Sequence, residues 1–147
     1  MRRKLDPKIR RAKVSDAAAL AALSGELGYP ASIAYMKRRI SQLASRADHV
    51  VLVAEGKKIH GWIHACAVET VESDPYAEIR GIVVTESRRG TGIGTLLVAA
   101  AEQWAITHGY HRVRVRTNVK RKRAIEFYSK LGYTLNKIQR VFDKKVD

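Results

Sequence analysis

A glycine-rich turn between a β-rich run and an apolar helix constrains this chain more than any other feature. The β-rich run covers residues 77–84, the turn covers residues 88–94, and apolar periodicity predicts a helix over residues 95–107. A strand, a tight turn and a helix together point backbone N–H groups and the positive end of the helix dipole at one spot. Glycine lets the backbone approach a ligand closely and adopt positive φ. We therefore expect an anion, most simply a phosphate group, to bind at this turn.

The spacing of the glycines excludes two common nucleotide-binding motifs. A P-loop requires a lysine after its last glycine, and Gly94 is followed by Thr95. A dinucleotide fingerprint of the form Gly-x-Gly-x-x-Gly would need a glycine where Thr95 stands. The turn has instead the form Arg-x-x-Gly-x-Gly, from Arg89 to Gly94.

Length and composition predict one packed domain. The chain has 147 residues, of which 46% are hydrophobic, so residues 1–147 can build a single core, with residues 1–7 as a flexible basic tail. Cys66 is the only cysteine, which suits a reducing compartment. No apolar run is long enough to cross a bilayer, and no apolar segment follows the basic N-terminus. These features predict a cytoplasmic protein without a membrane partner.

The charge of the chain is strongly positive. The sequence has 28 lysines and arginines against 14 aspartates and glutamates, a formal net charge of +14. Such a balance favours an anionic partner, which could be the phosphates of a ligand, another acidic partner molecule or nucleic acid. A solvated basic surface without a partner would explain the same charge.

Hydrophobic periodicity and turn residues predict an α/β fold with the element order βααβββαβαβ. The predicted strands cover residues 8–14, 50–54, 59–68, 77–84 and 112–117, with one or two more in residues 133–146. The predicted helices cover residues 17–27, 33–44, 95–107 and 123–131. Ser15 or Asp16 is a candidate N-cap for the first helix, and Ser32 for the second. Because hairpins and crossover connections both occur, the sheet should be mixed.

Two segments in this order resemble the GNAT superfamily of acyl-CoA N-acetyltransferases. One is the turn from Arg89 to Gly94, and the other begins at Asn118 and continues into a helix with the pattern Ala-x-x-Phe-Tyr, from Ala124 to Tyr128, before Leu131-Gly132-Tyr133. The resemblance implies a single-domain GNAT-like fold. Its central sheet would be mixed, mostly antiparallel, flanked by helices and splayed between the fourth and fifth strands.

The resemblance also implies a site for acetyl-CoA as the acyl donor, and it implies no bound metal. The backbone of Ile82, Val83 and Val84 would bind the pantetheine as an added strand. Asn118, Ala124 and Tyr128 would line the other side of the cofactor. The backbone N–H groups that would hold the pyrophosphate belong to Arg89, Gly90, Thr91, Gly92, Ile93 and Gly94.

The chemistry that the resemblance implies is direct attack of an amine on the thioester. Tyr128 matches the family's general acid, since a phenol with a pKa of about 10 stays protonated at neutral pH. Tyr128 could also be a core aromatic, as its neighbour Phe127 is expected to be. Glu78 lies where some members carry a catalytic base, although ordered water or a structural glutamate fits equally. His60 and His64 are further candidates on the acceptor side.

The leading hypothesis is an N-acetyltransferase that modifies a primary amine of a small molecule or a protein, and the resemblance allows a homodimer. Two alternatives stay open. The basic residues between Arg112 and Arg123 could form a nucleic-acid-binding surface, although no recognition motif accompanies them. The chain could also be a GNAT domain that binds acyl-CoA without turning it over.

Overall fold

The computed structural model describes residues 7–147, which form two compact units. The first unit ends at Arg116 and the second comprises Thr117–Asp147. The predicted basic tail lies outside the described residues except for Pro7. Over residues 7–147, no helix combines the length and apolarity that crossing a membrane requires. The prediction that residues 1–147 form one N-acetyltransferase domain stays a prediction.

The described part of the first unit, residues 7–116, contains five strands and three α-helices. In chain order they are β1 Lys8–Arg11, α1 Ala17–Glu26, α2 Ile33–Ala44, β2 His49–Glu55, β3 Ile59–Val68, β4 Tyr76–Val84, α3 Ile93–Thr107 and β5 Val113–Val115. Two short 3-10 turns, Val14–Asp16 and Glu86–Arg88, precede α1 and α3. The predicted first strand is therefore too long, because it ends at Arg11. The other predicted elements of this unit are found within a few residues of their expected ends.

The five strands form one mixed sheet in the order β1-β2-β3-β4-β5. Adjacent strands from β1 to β4 are antiparallel to one another, and β5 runs parallel to β4. A parallel neighbour requires a crossover, which α3 provides. β3 pairs with β4 from Tyr76 to Val84, whereas β5 pairs with β4 only at Ala77–Ile79. The predicted mixed sheet, splayed between the fourth and fifth strands, is confirmed.

Helices cover both faces of this sheet. Val53 of β2 packs with Leu20 of α1 and Ile40 of α2, and Trp62 of β3 lies against the same cluster. Gly61, the neighbour of Trp62, faces Leu97 of α3 instead. Because successive strand residues point to opposite faces, α1 and α2 cover one face and α3 covers the other.

Gly61 shows how closely α3 and β4 approach β3. A Cβ on Gly61 would lie 2.7 Å from the Val83 carbonyl oxygen and 3.2 Å from Leu97 Cδ1. No larger residue fits there without moving the backbone of β4. The packing thus requires glycine at this position within β3.

The helix cap predicted at Ser32 is present, whereas the candidate cap at Asp16 is not. The Ser32 hydroxyl accepts a hydrogen bond from the Tyr35 N–H at 3.0 Å, which begins α2. Asp16 precedes α1 but caps no N–H of that helix. Its carboxylate accepts from the Lys13 N–H at 2.7 Å and from the Arg10 guanidinium at 2.8 Å. The side chain therefore joins β1 to the start of α1.

The second unit contains one helix, α4 Lys122–Lys130, which ends before Gly132 at a φ of +92°. The predicted terminal strands are wrong, since residues 133–147 form no strand. Their apolar side chains are exposed, with Leu135 at 81% and Phe142 at 86%. A strand needs a partner edge as well as suitable residues, and the sequence pattern of this segment specifies no partner.

The amides of residues 134–146 should exchange with solvent far faster than those of β2 and β3. Amides outside helices and ladders open at almost no cost in free energy, whereas core strands approach the global stability. Residue-resolved hydrogen exchange measures both groups in one sample, so β3 serves as the internal control. Slow exchange in residues 134–146 would contradict this structure of the segment.

Candidate active site

The turn after β4 uses glycine for backbone conformation. Gly90 has a φ of +77° and Gly92 a φ of +91°, both in the left-handed region. A Cβ at either position would meet no atom within 4 Å. The conformation therefore requires glycine, while the space beside the turn stays open to a ligand. The Thr91 hydroxyl donates to the Arg88 carbonyl and closes the turn.

The turn leads directly into α3, whose first residue is Ile93 and not the predicted Thr95. Gly92 is the N-cap and supplies no capping side chain, and the first turn of the helix carries no acidic residue. The first N–H groups of a helix have no partner within it, and the dipole makes this end positive. The N–H groups of Ile93 and Gly94 are thus placed for an anion.

The edge of β4 that leads to this turn is open to a further strand. Within residues 7–147, the β5 ladder stops at Ile79, whereas β3 pairs with β4 as far as Val84. Ile82, Val83 and Val84 therefore present one side of their backbone to a partner other than β5. Arg89 Nε donates to the Val84 carbonyl at 3.3 Å, so a ligand that uses this carbonyl would displace the arginine.

Glu78 lies on the same strand and is 2% exposed. Its Oε1 accepts from Arg116 Nε at 2.8 Å, and its Oε2 pairs with Arg80 Nη1. The arginines are half-exposed, so the buried carboxylate is joined to solvent through two guanidinium groups. Both oxygens are engaged in this arrangement.

Tyr128 lies in the second unit, on α4, and is 6% exposed. Its ring contacts Phe127 at 5.0 Å and Tyr133 at 5.5 Å between centroids, both edge-on. Burial raises the pKa of the Tyr128 hydroxyl to about 12, against a smaller lowering by Arg121. The phenol is therefore protonated throughout the physiological range.

Asn118 and Ala124 also lie in the second unit. The Asn118 side-chain oxygen accepts from the Lys120 N–H at 2.9 Å, and its carbonyl accepts from the Arg121 N–H at 2.9 Å. Asn118 thus forms the turn that starts α4. Ala124 is half-buried on the helix itself.

The two candidate histidines of β3 differ in their surroundings. His64 Nε2 lies 2.9 Å from His49 Nδ1, and the two rings stack. Burial, followed by the nearby His49 and Arg80, lowers the pKa of His64 to about 4. Burial also lowers the pKa of His60, which lies in the irregular stretch of the β2–β3 ladder. Neither ring adds a charge at neutral pH.

Comparison with known proteins decides the family. The model of the acetyltransferase (GNAT) family matches residues 17–133. The chain belongs to the GNAT acetyltransferase family. An uncharacterised N-acetyltransferase from Methanocaldococcus jannaschii is 39% identical over 66 residues, which are 45% of this chain and 29% of that protein. The chain spans between a quarter and about a third of the length of the curated relatives it matches.

Solved structures agree with a GNAT fold. The aminoglycoside 6′-N-acetyltransferase AAC(6′)-IG from Acinetobacter haemolyticus superposes with a TM-score of 0.81 at 21% identity, covering 95% of this chain and 99% of that one. AAC(6′)-Iy, in complex with the bisubstrate analogue CoA-S-monomethyl-acetylneamine, has a TM-score of 0.83 at 17% identity and covers 95% and 98%. At these sequence identities, the structural similarity shows the fold alone.

GNAT enzymes use acetyl-CoA, and the open edge of β4 and the turn after it suit such a ligand. Among residues 7–147, no group of three or more histidine, cysteine, aspartate or glutamate side chains could hold a metal ion. Sequence reasoning missed the arginine partners of Glu78. For Arg80 the available signal was its place two residues after Glu78 on the same strand. For Arg116 it was the strict alternation of arginines at 112, 114 and 116, but only the fold brings these beside β4.

Replacing Gly92 with aspartate should weaken acetyl-CoA binding by at least about tenfold, roughly 1.4 kcal/mol. The added carboxylate would stand beside the N-terminus of α3, where it would repel the pyrophosphate. Gly92→Asn has the same shape without the charge and should weaken binding less. Calorimetric titration of each folded variant measures both effects.

Gly28→Asp is a matched control for the backbone. Gly28 also has a φ of +91° and open space at its Cβ position, but it follows α1. This variant should lose stability without losing affinity for acetyl-CoA. Equal affinity of Gly92→Asp and the unaltered protein would place the pyrophosphate elsewhere.

Proposed function

We propose that this GNAT protein transfers an acetyl group from acetyl-CoA to a primary amine by direct attack. The observation that carries the proposal is the continuous path along the open edge of Ile82–Val84, through the glycine turn, to the N-terminus of α3. The edge supplies backbone partners for a linear amide chain, and the helix end supplies donors for phosphates. Pantetheine and pyrophosphate are joined in this order in CoA.

This path also implies a direction for the proposed donor. With the pyrophosphate at Arg89–Gly94, the pantetheine would run back along β4 from Val84 to Ile82. Its thioester end would then point toward Arg80 and Glu78, which precede Ile82 on the strand. The acceptor amine would approach in that region, because it must reach the thioester carbonyl.

The proposed reaction needs a neutral amine and a proton for the leaving thiolate. The amine nitrogen forms a bond to the carbonyl carbon, and the tetrahedral oxyanion then expels the CoA sulfur. Tyr128 donates a proton to that sulfur, which its high pKa allows because the phenol is protonated beforehand. Glu78 accepts the proton that the amine loses, directly or through one water.

The acceptor is a primary amine of a small molecule or a protein. The net charge of +14 disfavours a strongly cationic acceptor, since such a ligand requires an acidic cleft. The aminoglycoside enzymes among the structural neighbours share the fold at low identity, so they do not select the acceptor. A homodimer and a cytoplasmic location remain predictions.

A screen of primary amines with acetyl-CoA, detecting released CoA thiol, tests the proposal. Amine-dependent release that mass spectrometry matches to an acetylated product would support it. Binding of acetyl-CoA without release for any amine would favour the non-catalytic domain. Tight binding of an oligonucleotide without binding of acetyl-CoA would favour the nucleic-acid surface.

Replacing Tyr128 with phenylalanine should lower kcat by about 10²–10⁴-fold while leaving acetyl-CoA affinity unchanged, since general acid catalysis has this range. Tyr133→Phe removes a hydroxyl from the neighbouring ring and should lower kcat much less. Steady-state kinetics with the best amine of the screen gives both values. Equal kcat for Tyr128→Phe and the unaltered enzyme would leave Tyr128 a purely structural role.

Replacing Glu78 with glutamine should lower kcat/KM near neutral pH and lose less activity at high pH, where more of the amine is already neutral. The measurement is the ratio of kcat/KM for the two enzymes between about pH 6 and 9.5, a range over which the neutral fraction of the amine rises. Thermal denaturation controls for folding, because the substitution also weakens the contacts with Arg80 and Arg116. A constant ratio across this range would remove the base role.

A further inference from the structure

Four arginines stand together on one side of β4 and β5. We name Arg80, Arg112, Arg114 and Arg116 the arginine row. Arg112 and Arg116 flank β5, Arg114 lies within it, and the parallel register places Arg114 opposite Glu78. Alternate residues of a strand share one face, so the row lies beside Tyr76 and Glu78 of β4.

Each guanidinium of the row is held by a buried partner. The Cζ atoms of Arg112 and Arg114 lie 4.6 Å and 4.7 Å from the centroid of the Tyr76 ring. Arg114 also donates to the Tyr76 hydroxyl at 3.3 Å. Glu78 holds the other two arginines through its two oxygens. Tyr76 is 4% exposed and Glu78 is 2% exposed, so the row rests on fixed groups.

The guanidinium groups are fixed but still reach solvent. The side chains of Arg80 and Arg116 are 50% and 51% exposed. Glu78 supplies one negative charge to four guanidinium groups, so the row stays strongly cationic. Because their side chains are already ordered, these arginines would lose little further conformational entropy on binding an anion.

The row lies at the position expected for the acceptor. Arg80 is two residues before Ile82, and the register of β4 with β5 carries Arg116 to the same level of the sheet. Strand residues rise by about 3.3 Å, so the row begins within roughly 7 Å along β4 of the proposed pantetheine edge. It therefore lies beyond the thioester end of the donor.

We infer that the arginine row binds an anionic group, a carboxylate or a phosphate, carried by the acceptor amine. The inference rests on the proposed function, since the thioester end defines the acceptor side. Guanidinium groups bind both anions through paired N–H donors. Single-stranded nucleic acid fits less well, because its bases stack on exposed aromatics and the Tyr76 ring is buried beneath two arginines.

Two pairs of small amines test the inference. O-phosphoethanolamine is compared with ethanolamine, and β-alanine with β-alanine amide. Each is titrated calorimetrically into protein saturated with CoA, in about 0.15 M salt to screen nonspecific attraction. Saturation keeps phosphate out of the glycine turn. The same four amines are then assayed as acceptors by CoA release.

We expect the anionic member of at least one pair to bind about tenfold or more tightly than its neutral partner, as charge-assisted hydrogen bonds imply. The pair with the larger preference identifies phosphate or carboxylate. Arg116→Gln and Arg80→Gln should each reduce that preference several-fold. Lys58→Gln removes the same charge from the β2–β3 turn and should leave it unchanged.

Three results would overturn the inference. Equal binding of the anionic and neutral members by the unaltered protein is one. A preference that survives both arginine substitutions is another, because the anion would then bind elsewhere. The third is displacement of the anionic amines by an oligonucleotide whose own binding requires Arg116, which would make the row a nucleic-acid-binding surface. If CoA fails to bind, the proposed function fails, and the loss of preference in Arg116→Gln and Arg80→Gln, titrated without CoA, still tests the row.

Discussion

The short ladder between β4 and β5 is the constraint on which the site depends. β4 has nine residues and β5 has three, so hydrogen bonds between them stop at Ile79. A longer β5 would take up the backbone groups of Ile82–Val84, and no chain-like ligand could add to that edge. The same ladder, short as it is, sets Arg116 beside Glu78. One brief stretch of parallel pairing thus leaves the β4 edge at Ile82–Val84 open and builds the arginine row next to it.

The open edge of β4 is held rigid from its other side. β3 pairs with β4 from Tyr76 to Val84, and the backbone at Gly61 comes so close to the Val83 carbonyl that no side chain fits between them. Leu97 of α3 packs over the same glycine and is fully buried. An edge that is fixed before the ligand arrives costs less entropy on binding than a flexible one. If the cofactor binds at this edge as proposed, the interior packing of α3 on β3 would support its binding without touching it.

Sequence patterns predicted the structural elements that are determined by residues close to one another in the chain. Ser32 caps α2 as expected, and β3 matches its predicted bounds because its ends are marked by turn residues. The glycine turn was located because positive φ requires glycine whatever the tertiary context. The predicted terminal strands were wrong, because the sequence pattern of a strand indicates which of its faces would be buried but not which strand edge it pairs with. The pairing of Glu78 with Arg116 was not found, since Arg116 is 38 residues away and reaches Glu78 only through the register of β5.

The roles proposed for Glu78 and for the arginine row are physically coupled. A carboxylate whose oxygens both accept from guanidinium groups has few lone pairs left for a proton from an amine. An anionic acceptor that binds Arg116 or Arg80 would compete with Glu78 for the same N–H donors. Each donor that turned to the acceptor would free an oxygen of Glu78 at the place where the amine arrives. The buried carboxylate would then hold the arginines in place before binding and accept the proton afterwards. A neutral amine would leave Glu78 engaged, so the substrate itself would determine whether the base is available.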